Sequence, residues 1–187
     1  MYWKTTLLAL SLFTLGSTPS WADETNAGEI HFTGEIISPS CEISGDSGKN
    51  INVYLGSPAP SYFTENSGKS DDVAVPIALT KCPVATAGLS QVQLTFTGTP
   101  VSGKTDMLEL DPGGAEGVGI TLSSEEDRST YLDITGAEHQ IYVPLPSTAD
   151  GVVMTTLEAR YVSLSGTSEG VTPGAANAKV TIGILYR

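Results

Sequence analysis

Apolar and polar residues alternate in short runs along most of the chain, and no segment sustains a helical period. Ile30–Ile36 alternates strictly, as do Ile51–Leu55 and Val73–Leu79. Further runs cover Val92–Phe96, Val118–Leu122, Ile141–Leu145, Ala159–Leu164 and Val180–Tyr186. Each predicts a strand with one apolar face, because successive side chains of a strand point to opposite sides. Turn-forming clusters separate them at Gly45–Asn50, Ser57–Pro60, Gly98–Gly103, Asp111–Gly114, Ala149–Gly151 and Thr172–Gly174. Pro76 has no N–H to give to a ladder, so it predicts an edge or a bulge in the third run. The polar run Ser123–Arg128 predicts a solvated loop. With no long linker and no internal repeat, the pattern describes one all-β domain at the strand spacing of a sandwich.

The first 22 residues stand apart from that pattern. Lys4 precedes the apolar stretch Thr5–Gly16, and Ser20-Trp21-Ala22 places small residues at a cleavage site before Asp23. The stretch is far shorter than the roughly 20 residues that span a bilayer. Residues 1–22 therefore read as a signal peptide. The whole chain has 187 residues, 21 acidic and 9 basic, for a formal charge of −12; removal of Lys4 makes it −13. So few cations argue against a nucleic-acid partner or an anionic membrane surface. Export gives the two cysteines a meaning. Cys41 and Cys82 are the only ones, and an oxidising compartment favours a structural disulfide between them. Two cysteines without ligand-spaced histidines do not make a zinc site.

Several candidate chemistries fail on their surroundings. Gly166-Thr167-Ser168-Glu169-Gly170 matches the nucleophile elbow, but Val171-Thr172-Pro173-Gly174 follows it where a helix is required. Both histidines, His31 and His139, also precede the serine. His31 reads as a solvent-facing strand residue. Glu125, Glu126 and Asp127 lack the loop spacing of a calcium site. The sequence thus predicts neither catalysis, nor a metal, nor another cofactor, nor a small-molecule substrate.

The two ends are more informative. Ile30, Phe32, Gly34 and Ile36 alternate with His31, Thr33, Glu35 and Ile37, shortly before Cys41. Cys82 follows 41 residues later. Near the other end stands Gly174, and Ala178, Val180, Ile182, Ile184 and Tyr186 then alternate toward the final Arg187, with Tyr186 penultimate. Together with Val118-Gly119-Ile120 after Gly114-Ala115-Glu116-Gly117, these features resemble the pilin subunits of the chaperone–usher pathway, of the type 1 fimbrial kind. The resemblance covers essentially all of residues 23–187.

The resemblance implies an incomplete immunoglobulin-like sandwich that lacks its final strand. Residues 23–37 would be an N-terminal donor-strand extension and 38–187 the pilin domain. Ile30, Phe32, Gly34 and Ile36 would form the donor face. Val180, Ile182 and Ile184 would edge an open groove, with Gly174, Tyr186 and Arg187 taking part in recognition by a periplasmic chaperone and an outer-membrane usher. The expected partners are neighbouring pilin subunits, that chaperone and that usher; the expected destination, reached through the periplasm, is a fimbria at the cell surface. A minor adaptor or adhesive subunit binding a host or surface ligand is the alternative placing. Residues 23–187 leave no room for the extra lectin domain of a tip adhesin.

Overall fold

A computed structural model describes residues 29–34, 36, 38, 40–45 and 49–187. The signal-peptide reading lies outside the described residues, as do positions 23–28, 35 and 37 of the expected extension. Contacts divide the chain after Thr33, and the larger unit, from Gly34 onward, is the sandwich.

Among the described residues, nine strands and one short helix make up that unit. They are β1 (Glu42–Ser44), α1 (Pro60–Glu65), β2 (Val73–Thr80), β3 (Gln91–Thr97), β4 (Pro100–Val101), β5 (Lys104–Leu108), β6 (Val118–Ser124), β7 (Ile141–Pro144), β8 (Val153–Ser163) and β9 (Thr181–Tyr186). One sheet runs β1-β2-β8-β6-β5-β4 and the other β7-β3-β9, with every pairing antiparallel. The alternating runs supply the layer between them. Val75, Ile77 and Leu79 of β2, with Leu157 and Ala159 of β8, are buried with Val92, Leu94 and Phe96 of β3 in one cluster. Meanwhile Ala74 and Pro76 point to solvent. Pro76 pairs with Thr156 of β8, while β1 reaches only Ala78–Thr80, so the proline stands where β2 is an outer strand.

β6 is buried on both faces. Its inner residues, Val118, Ile120 and Leu122, belong to the core. Its outer residues, Thr121 and Ser123, are covered because the chain after β6 returns beside it, bridging Ser123 to Tyr131. Lys69 and Arg160 lie 5.8 and 6.0 Å from the Tyr131 ring centre, at cation–π range. Arg128 reaches the buried Glu158 at 2.7 Å, and Arg160 holds Asp72 at 2.6 Å. The run Ser123–Arg128 is accordingly a loop from Glu125 onward, its first two residues ending β6.

Several elements depart from the sequence pattern. Ser57–Pro60 begins α1 rather than a simple turn, with Pro60 in its first turn, where a missing N–H costs nothing, and Phe63 in the core. Gly98–Gly103 contains β4 as well as a turn, and Gly103 (φ 78°) closes the hairpin to β5. Ile51–Leu55 alternates as expected yet belongs to no strand.

Candidate functional site: a groove beside the last strand

β9 pairs with β3 from Thr97↔Thr181 to Val92↔Tyr186, and among the described residues nothing pairs with its other side. Its inward residues show the consequence. Leu94 and Phe96 of β3 are fully buried, whereas Val180, Ile182 and Ile184 are only partly so although they pack on the same core. A groove of about 680 Å³ opens beside them. Its floor is Val75, Ile77, Leu157, Ala159, Ile120 and Leu122 of the six-stranded sheet with Phe96 of the other; its far wall is Ile43 and Asn50–Val53. A second cavity of about 530 Å³, lined by Val53–Pro60, Phe63, Ala115, Tyr161 and Val171–Ala178, shares Val53, Leu55, Ile120 and Ala178 with the first. The two form one trough between the sheets.

Each end of the trough is held by contacts between residues far apart in sequence. At one end Gly174 lies against Gly114, so closely that a Cβ on it would come within 2.5 Å of backbone. This contact lets Ala115 N–H donate to the Ala175 carbonyl at 2.8 Å and Asp111 N–H to that of Asn177 at 2.7 Å. Tyr161 donates its hydroxyl to the Ala176 carbonyl at 2.9 Å, and burial, then the nearby Tyr54, pushes its pKa above the usual phenol range. It is therefore a neutral donor under all ordinary conditions.

At the other end Tyr186 accepts a hydrogen bond from the Cys41 N–H at 2.8 Å, and Cys41 is bonded to Cys82. The Arg187 main chain extends the pairing, donating to the Gln91 carbonyl and accepting from Ser90 and Gln91. Its guanidinium bonds Gln93 at 3.4 Å and pairs with Glu138. Tyr186 and Arg187 thus line neither cavity, and Tyr186 is tied to the first through Cys41, which does line it. Tyr186→Phe should lower stability by about 1 kcal/mol, the usual worth of one such bond, and speed amide exchange at Cys41. Unchanged exchange there would show that the hydroxyl holds nothing.

Ile30, Phe32 and Ile36 are 80, 91 and 102% exposed, and a Cβ at Gly34 would meet nothing within 4 Å. No strand is formed by the described residues of that segment. Ser168 sits in the loop after β8, where its Oγ accepts from Thr64 Oγ1 at 2.7 Å.

An open trough bordered by an unpaired strand, in a chain with a solvent-exposed apolar alternating segment, agrees with what sequence comparison finds. The profile of the family described as Fimbrial protein matches residues 30–187. The chain belongs to the fimbrial protein family. The type-1 fimbrial protein subunit of Serratia marcescens is 32% identical over 189 residues, covering 98% of this chain and 99% of that protein. The fimbrial subunit type 1 of Klebsiella pneumoniae is 28% identical, covering 97% and 96%. Among solved structures, the P pilus rod subunit PapA superposes with a TM-score of 0.62 at 25% identity, over 79% of this chain and 99% of that one. This fimbrial subunit is thus a structural component of surface fimbriae, reached by export through the periplasm, and its neighbours there are other pilin subunits.

Proposed function

We propose that this fimbrial subunit polymerises by donor-strand exchange: residues 23–37 of one copy fill the trough of the next. Residues 1–22 direct export, and 38–187 form the receiving domain. One observation carries the reading. Val180, Ile182 and Ile184 stand half-buried beside a groove for which the described residues provide no strand, while Ile30, Phe32 and Ile36 stand exposed on the same two-residue alternation. Residues two apart on a strand repeat every 6.4–6.8 Å, so the four donor positions match the row Ala178, Val180, Ile182, Ile184.

Burying Ile30, Phe32 and Ile36 contributes roughly 1.5–3 kcal/mol each. Their total, about 5–9 kcal/mol before ordering costs, is comparable with the whole stability of an ordinary domain. Main-chain pairing along β9 adds to it. Strand addition of this kind is an established recognition mode, chaperone–pilin complementation among its known cases. On this reading a periplasmic chaperone occupies the trough first, because an apolar edge left in water invites aggregation. The usher is where the neighbour's segment replaces it. Gly34, where a Cβ would meet nothing among the described residues within 4 Å, takes its size limit from the neighbour's floor.

The test is electrophoresis of surface-extracted material in detergent. Unheated samples should run as a ladder of subunit multiples and boiled samples as one band. A single band in both would remove the proposal.

A further inference from the structure

Basic side chains are scarce in this chain, and among the described residues half of those in the sandwich are held by acidic partners. Lys81 pairs with Glu42, and Arg128, Arg160 and Arg187 pair with acidic partners. Lys179 is different. It stands exposed on the rim of the groove, just before β9, and among the described residues no carboxylate lies within ion-pairing distance of it. Its neighbours Ala178 and Val180 line the groove, so by alternation Lys179 belongs to the outward row that continues with Thr181.

A second copy of this chain offers a matching charge. If Ile30, Phe32, Gly34 and Ile36 face inward, then Glu29, His31, Thr33 and Glu35 face outward, beside the outward row of β9. We propose that Lys179 pairs with Glu35 of the incoming segment and thereby selects its register. This deepens the donor-strand reading above and rests on it.

In an antiparallel arrangement the pairing sets the whole register. With Glu35 across from Lys179, Thr33 meets Thr181, a favourable cross-strand pair. On the inner face Ile30 meets Ile184, Phe32 meets Ile182 and Gly34 meets Val180. Ile36 then falls at Ala178, where the groove widens into the second cavity. The parallel alternative also brings an acid, Glu29, to Lys179. It drives Ile36 onto Tyr186, however, beyond Ile184, the last residue of β9 that lines the groove. Space, rather than charge, selects the antiparallel direction.

An exposed ion pair adds little affinity but governs encounter rate and register, and salt weakens it. A synthetic peptide of residues 27–38 carrying Glu35→Lys has no fold to lose. It should join the full-length wild-type chain about 3- to 10-fold more slowly than the wild-type peptide at low salt, with the gap closing near ~0.5 M. On a Lys179→Glu chain the order of the two peptides should reverse. Equal rates at low salt, or no reversal, would overturn the pairing while leaving the donor reading intact. Failure of the wild-type peptide to join at all would overturn the donor reading and the pairing with it. Register has its own readout. Cysteines at Thr33 and Thr181 should link neighbouring subunits covalently, whereas cysteines at Thr33 and Gly183 should not, and the opposite result would overturn the proposed register.

Discussion

Phe32→Asp should abolish subunit joining while leaving the sandwich itself as stable as before. Phe32 is almost wholly exposed in the single chain, so a carboxylate there costs the free subunit nothing. In a neighbour's trough the same change forfeits about 1.5–3 kcal/mol of apolar burial. It also forces an unpaired charge against Ile182, Phe96 and the floor of β2 and β8, which costs several kcal/mol more. A combined loss above about 4 kcal/mol lowers a joining equilibrium about a thousandfold. The expected gel shows monomer without a ladder, with an unchanged circular-dichroism spectrum. Phe32→Leu, which keeps most of the apolar area, should restore the ladder. Persistence of the ladder in the aspartate variant would place the donor face elsewhere.

The second large effect concerns the disulfide. Cys41 and Cys82 are bonded across 41 residues that include β1, α1 and β2. Closing a loop of that length stabilises a domain by about 4 kcal/mol in the chain-entropy account. The domain can ill spare it, because one face of its core is open along the trough and β1 has only three paired residues. Replacing both cysteines with serine should lower the melting temperature by roughly 8–16 °C, at about 2–4 °C per kcal/mol for this size. The fully reduced wild-type protein should melt close to the serine variant. A shift of only a degree or two would show that β1 and Tyr186 hold this region without the bridge.

What the sequence makes legible follows from where alternation is strong. β2, β3, β6, β7 and β9 are announced by Val, Ile, Leu and Phe two apart, and all five are present. The first half of β8 is not announced. Its inward row is Val153, Thr155, Leu157 and Ala159, in which a hydroxyl and a methyl dilute the pattern. The β4–β5 hairpin is hidden because Lys104-Thr105-Asp106 looks like loop and only tertiary pairing makes it strand.

Ile51–Leu55 is the instructive case. Its alternation is real, since part of it walls the groove, but a strand needs a backbone partner and the described residues place none beside it. The candidate site was legible in Val180, Ile182 and Ile184, which do line the groove. The uses of Gly174 and Tyr186 were not, because a backbone crossing with Gly114 and a hydrogen bond to Cys41 join residues far apart in sequence.

The Cys41 region also has a mechanical meaning. A segment seated in a neighbour would transmit tension along the fibre back to its root at Cys41. From that residue one path runs through a covalent bond to Cys82, just beyond β2 of the six-stranded sheet. Another runs through Tyr186 to the end of β9 in the three-stranded sheet. Load therefore enters both layers at a single point and bypasses β1, whose short ladder would otherwise unzip residue by residue. Under force, the joint should shear along the whole borrowed strand before either subunit peels open from its root.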